Sequence, residues 1–315
     1  MSIDFKRKLP VSTGKPMKKK RRIRIGHYAV NVWLIFWGFL SVIPMLWLVL
    51  APSKTDRNVS YKNPLSFGNF SGYAHAWKNL QDFNSGVLAR WVFNSITYTV
   101  AIVVIASITA SLAGFVISAS KIRFKKGFLI STLIMMLVPP VALVIPLFIE
   151  MNKVNLIDNP FSVILISSLY PFGAFLSYIY YSNTIPPEIY ESARLDGCSD
   201  FKLYSRIAFP LSYPLLALLA FFAFVGNWGN YFMPYIMLQS PTNYTLPVGL
   251  GALFFSTPAI NPGNGATSVP ILKPEIALAG ILVAVPVMIV FLISQKRLIR
   301  GMLSGSIKEI GRAHV

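Results

Sequence analysis

The sequence predicts an all-α integral membrane protein with six transmembrane helices. Three observations carry that expectation. Of 315 residues, 54% are hydrophobic and only 13% charged, with mean hydropathy +0.58, whereas soluble domains hold about 25% charged residues. The apolar residues fall in runs of the ~20 residues that a bilayer demands. Lys and Arg alternate between dense and sparse from one intervening segment to the next, as they do between cytoplasmic and outer loops.

In chain order, residues 1–28 form a basic tail expected in the cytoplasm. Its Lys18–Arg24 run reads as an orientation anchor against anionic headgroups rather than a nuclear signal. The first apolar run follows this long tail and carries Trp residues, which argues against a cleaved signal peptide. Expected spans are 29–51, 91–118, 128–149, 161–183, 211–238 and 276–295. Pro139, Pro140 and Pro146 predict a bend in the third span. Gly226, Gly229 and Pro234 interrupt the fifth; such backbone is tolerated at membrane depth where protein buries it or where it lines a cavity. Residues 52–90, 150–160 and 239–275 are expected as outer loops. The remaining connections, the 184–210 loop and the 296–315 tail carry, with the N-terminal tail, 22 of the 29 basic residues. Both termini and the 184–210 loop are therefore expected in the cytoplasm.

Several function classes are excluded. A net charge of +18 suggests nucleic acid in a soluble protein, but no soluble domain is present to carry the patch, so no nucleic-acid partner is expected. The single cysteine, Cys198, allows neither a disulfide framework nor a Cys-based zinc site. His27, His75 and His314 are scattered, so no metal site and no catalytic residues are expected. No phosphate-cradling glycine loop occurs; Gly14-Lys15 runs into Pro16. The middles of the spans hold no Asp, Glu, Lys or Arg, which a proton or sodium relay would need. Energy for any transport must then arrive from outside the chain.

The 184–210 loop is the place for it to arrive. Pro186-Pro187 breaks the fourth span. Glu188 and Glu191 favour a helix N-terminus through the dipole. Ile189, Ala193 and Leu195 are expected to form an apolar stripe, with Ser192 and Ala193 small enough for close approach. Gly197 ends or bends the helix. A second short helix runs through Phe201, Leu203, Tyr204 and Ile207 until Pro210 and Pro214 open the fifth span. By spacing alone this is equally an ordinary surface helix–turn–helix.

Glu191-Ser192-Ala193, Gly197, Ile207 and Phe209-Pro210 resemble the cytoplasmic signature of permease subunits from bacterial ATP-binding-cassette (ABC) importers. That signature reads Glu-Ala-Ala, then Gly, Ile and Leu-Pro at the same spacing; Ser192 and Phe209 depart from it mildly. Phe93-Asn94-Ser95, Leu137–Pro140, Ile145–Phe148, Ile185–Glu188, Leu195-Asp196-Gly197, Asn227-Trp228, Thr245–Leu250 and Gly301–Lys308 extend the resemblance to the maltose-type carbohydrate importers, specifically the smaller six-span partner. The resemblance implies a type I ABC importer permease fold in the bacterial inner membrane. Glu191, Ser192, Ala193, Asp196, Gly197, Ile207 and Pro210 would then couple the chain to an ATPase.

The partners it implies are a second homologous permease, an ATPase dimer holding ATP and Mg, an extracytoplasmic sugar-binding protein and the bilayer, with no cofactor on this chain. Tyr170, Tyr180, Asn227, Trp228, Asn230 and Tyr231 are candidates for a sugar path, since aromatic faces beside amides suit sugars; helix packing explains the same residues equally. A permease for a polyamine, phosphonate or other small solute is the alternative, and an ion-driven carrier or membrane enzyme a more distant one. Glu309–Val315 reads like a translated sequencing adapter, and no function is expected of it.

Overall fold

The computed structural model describes residues 25–255, 257 and 271–312, with backbone alone at 25–27, 29 and from 296 onward. The expected basic tail therefore lies almost wholly outside the described residues, as do the side chains of the C-terminal tail. The chain divides into two units, one ending at Leu46 and the other starting at Trp47. The described residues of the first unit, 25–46, are helix, the opening part of α1 (Ile25–Leu50). Its Trp33, Phe36 and Trp37 rings meet at 5.8–6.2 Å along one stretch of the helix.

The second unit begins with the end of α1 and a buried 3-10 turn at Ala51–Ser53. The Lys54 ammonium is also buried, and donates to Asn63 O and Pro64 O at 2.9 Å each. Two helices follow where the sequence suggested an open loop, α2 (Asp56–Tyr61) and α3 (Phe70–Asp82). Their starts are fixed by side chains, Thr55 accepting from Asn58 N and Asn69 from Ser71 N. After a tight turn at Phe83–Gly86, α4 (Val87–Ala119) runs for 33 residues through the middle of the unit.

The next helices are broken. α5 (Lys125–Leu137) and α6 (Pro140–Lys153) meet at 105°. Pro139 holds Val138 extended, so the bend expected in the third span has a local cause. α7 (Pro160–Ser167) and α8 (Pro171–Thr184) are separated by Ser168–Tyr170. α9 (Pro187–Leu195), α10 (Asp200–Leu203), a π-turn at Tyr204–Ala208 and α11 (Phe209–Leu211) make the loop. α12 (Tyr213–Trp228) turns 79° from it, and α13 (Phe232–Met237) follows a break at Gly229–Tyr231. The expected outer loop 239–275 holds an apolar helix, α14 (Leu246–Phe255), and α15 (Lys273–Arg312) closes the chain.

Four described stretches are long and apolar enough to cross a membrane: Val30–Ser53, Phe70–Ala119, Pro160–Thr184 and Lys273–Gln295. Counting each bent pair (α5 with α6, and Asp200–Leu211 with α12) as one span raises the number to six. No strand occurs among the described residues, in keeping with the all-α expectation. α4 packs most closely on α8 and α12. At Gly114 a Cβ would stand 2.2 Å from the Cβ of Ser177, so only glycine lets these two backbones approach.

Candidate functional site

The loop is built as a helix with a hard stop. Pro187 supplies the first helical position, where its missing N–H costs nothing. At the other end Gly197 N–H donates to Arg194 O (3.1 Å) and Cys198 N–H to Ala193 O (3.0 Å). These are the paired capping bonds of a glycine-terminated helix. Gly197 sits at φ +78°, a conformation that glycine adopts without strain. A Cβ there would meet nothing within 4 Å, so the chain itself needs the glycine for its backbone angle and not for space.

Which side chains face inward corrects the expected stripe. Tyr190 and Ala193, three apart on one face, are the buried pair. Leu195 is 89% exposed and Ile189 also faces outward. Ala193 is therefore spent on the protein's own core and does not offer a small contact to a partner. Glu191, Ser192 and Asp196 are exposed; Ile207 is half-buried against the core and Pro210 exposed. The π-turn before Pro210 has a local reason, since a proline cannot return an N–H to the carbonyl four residues back.

Beneath α9 lies an aromatic cluster. The Phe115 ring is ringed by Tyr181 (5.9 Å), Tyr190 (6.0 Å) and Tyr204 (5.3 Å). Ser111 Oγ bonds Tyr181 Oη (2.8 Å) and accepts from Tyr204 (3.2 Å), while Tyr181 donates to Ser212 Oγ (3.0 Å). Helices α4 and α8, the π-turn and the start of α12 are thus tied at one buried point. The Tyr190 hydroxyl is buried without a hydrogen-bond partner. A cleft of about 270 Å³ opens beside it, lined in part by Tyr181, Ser182, Glu191 and Arg194. Tyr190 and the serines escaped the sequence reading; the Tyr190/Ala193 spacing was the signal that could have found the inner face.

At the far end of α4, Trp91 Nε1 donates to Pro241 O (2.8 Å), and Asn94 Nδ2 donates to Thr242 O (2.8 Å) and Tyr244 O (3.0 Å). Ser95 Oγ accepts from Leu246 N (2.7 Å), capping α14 from a different helix. The Phe93-Asn94-Ser95 and Thr245–Leu250 motifs therefore touch each other. Gly249 lies flat under the Trp91 ring. Nearby, the Asp158 carboxylate accepts from Gln239 N and Ser240 N at 2.9 Å, from the Ser240 hydroxyl and from the Asn243 amide. Burial pushes its pKa up, but these four donors outweigh that and hold it down to about 2.

The six candidate path residues are not gathered at one surface. Tyr170 lies across Gly173 at the α7–α8 break, and Tyr180 donates to Leu211 O (3.1 Å) beside the loop. The Trp228 indole is 4% exposed, stacked on Phe224 and bonded to Val283 O (2.9 Å), so in this conformation it joins α12 to α15. Asn227 donates back to Ala223 O. Half-buried Asn230 sits in the α12–α13 break, and Tyr231 stacks on Tyr235 (5.3 Å) over Gly251. No group of metal-ligating side chains occurs among the described residues.

The family model of the binding-protein-dependent transport system inner membrane component matches residues 106–304, from the middle of α4 through the loop into α15. The chain belongs to this family. It is a membrane permease subunit, not an enzyme. The permease is 30% identical over 229 residues to the arabinooligosaccharides transport system permease protein AraQ of Bacillus subtilis (strain 168), covering 72% of this chain and 76% of that one. It is 27% identical over 296 residues to the protein of the same name from Halalkalibacterium halodurans, covering 92% and 99%. In fold, the permease matches a chain of a bacterial ABC transporter that imports the acidic polysaccharide alginate, with TM-score 0.73 and 22% identity over 88% of this chain and 97% of that one.

Proposed function

We propose that this chain is the permease subunit of an ATP-driven importer that passes a sugar or oligosaccharide from an extracytoplasmic binding protein into the cytoplasm. The observation that carries this reading is the 184–210 loop: a short, glycine-capped helix bearing Glu191, Ser192 and Asp196 outward, placed between apolar spans that lack an ion relay. The oligosaccharide relatives support the substrate class. The partners are a second permease and an ATPase dimer that holds ATP and Mg. The chain lies in the bacterial inner membrane with both termini cytoplasmic, six spans near the expected boundaries, and the loop as the ATPase contact. Asn230 and Tyr231, at the break in the fifth span, line the path; Tyr170 flanks it at the break in the fourth.

Proteoliposomes containing this chain with the permease, ATPase and binding protein encoded beside it test the reading. Uptake of labelled arabino- or malto-oligosaccharides should require both ATP and the binding protein. Polyamine uptake in place of sugar uptake would reject the substrate class, and sugar uptake without ATP would reject the mechanism.

A further inference from the structure

Arg194 stands inside the signature segment, at a position the signature leaves open, and makes the polar ties between α9 and the rest of the chain. Its Nη2 donates to the carbonyl of Ala119 at 2.6 Å and to Asp200 Oδ1 at 3.1 Å. Ala119 is the last residue of α4, where Ser120 turns extended and the last turn holds no basic residue. Carbonyls at a helix C-terminus carry partial negative charge and lack intrahelical partners. A guanidinium from 75 residues downstream supplies both the bond and the charge. Asp200, in turn, opens α10 beside its Ser199 cap. One side chain therefore fastens the end of α9 and the start of α10 to the end of the central helix. It is 19% exposed, against 47% for Asp200, so the bond to α4 is the more sheltered of the two.

We infer that Arg194 is a positioning residue for energy coupling: it locks the loop to α4, so that loop and helix move as one body. The inference rests on the proposed ATPase contact of the loop. The apolar seat of Tyr190 and Ala193 resists separation of α9 from the core but allows sliding, because packing of this kind is not directional. Two directed bonds from a planar fork remove that freedom.

The test uses the full importer in proteoliposomes, with uptake and ATP hydrolysis measured on the same sample. Arg194→Ala should lower sugar moved per ATP hydrolysed by about fivefold or more, and Arg194→Lys should recover part of it. Asp200→Asn, which keeps the Ala119 bond, should cost less than Arg194→Ala. A second measurement does not depend on activity. Spin labels at Lys121→Cys and Glu188→Cys, in a Cys198→Ser background, should give one narrow distance that is the same with and without ATP. In Arg194→Ala that distribution should broaden. A labelled distance that shifts with ATP while Arg194 is present overturns the lock. So does an unchanged ratio of uptake to hydrolysis in Arg194→Ala, or a Lys variant no better than Ala. If uptake by the unsubstituted importer needs no ATP, the coupling reading itself falls and the lock with it.

Discussion

Substituting Gly197 separates what the backbone demands from what a partner demands. The residue sits at φ +78°, where its own N–H and that of Cys198 close the two capping bonds, and an added Cβ would meet nothing of its own chain within 4 Å. The cost of Gly197→Ala in the isolated chain is therefore conformational alone, about 1–2 kcal/mol for an L-residue in the left-handed region. That lowers the population of the capped loop roughly 5- to 30-fold without unfolding the spans. Asn tolerates this region better, so Gly197→Asn should cost much less. Hydrogen exchange at the Gly197 and Cys198 amides reads the population directly. Protection should fall by that factor in the Ala variant and stay near its original level in the Asn variant, with ATP-dependent uptake following the same order. Unchanged protection in Gly197→Ala would refute the strain argument. An Asn variant with intact protection but no uptake would show that a docking partner needs the missing side chain.

Three further outcomes follow from the geometry. The Asp158 pKa is depressed from 3.8 to about 2, so its contribution is complete above pH ~4 and lost as pH falls towards 2. The shift corresponds to at most ~2.4 kcal/mol at 1.36 kcal/mol per unit, or roughly 1–2 after allowing for partial exposure; Asp158→Ala should flatten the acid limb of a thermal-stability profile by that amount. Gly114→Val should destabilise by about 3 kcal/mol or prevent assembly, because the new atoms fall on Ser177 and the Tyr178 backbone; a melting temperature equal to the parent's would contradict the close approach of α4 and α8. Tyr190→Phe deletes a buried hydroxyl that has no partner, so it should leave stability unchanged or raise it by up to ~1 kcal/mol, and a lowered melting temperature would reveal a bond not present in this structure.

The parts legible in the sequence are those with a local cause. Pro139 bends the third apolar run, Gly197 stops α9, and Pro186-Pro187 starts it; each acts through φ, a missing N–H or a missing Cβ, which the residue type reveals. Residues whose meaning depends on a distant neighbour were not legible. The Phe93-Asn94-Ser95 and Thr245–Leu250 motifs were recognised as separate markers, yet their content is that one bonds the other across some 150 residues. Trp228 was left open between sugar path and helix packing because an indole on a broken helix serves either role; in this structure its N–H bonds the carbonyl of Val283, a contact the sequence could not show. The outward position of Leu195 was misjudged because hydrophobicity alone assigned it to the stripe, whereas the helix period carries Tyr190 and Ala193 to the inner face.

α4 gives the two ends of the molecule a common mechanical element. With 33 residues at 1.5 Å each it is about 50 Å long. Its last residue receives the loop through Arg194, and its first turns hold the 241–246 segment through Trp91, Asn94 and Ser95. Between them Ser111, Gly114 and Phe115 fix it to α8 and to the π-turn. A displacement applied at α9 has two exits. It can be absorbed at the irregular joints, the π-turn and the 79° bend before α12, or it can be carried along α4. The joints are irregular where Pro210 removes a donor, yet their Tyr204 and Ser212 hydroxyls are bonded into the α4–α8 contact. That bonding stiffens the joints on the α4 side, and α12 is itself held by α4 and, through Trp228, by α15, so the next irregular joint is the break at Gly229–Tyr231. In the proposed importer, α4 is thus the element fixed to carry the stroke, and the half-buried Asn230 and Tyr231 lie at the break that follows α12.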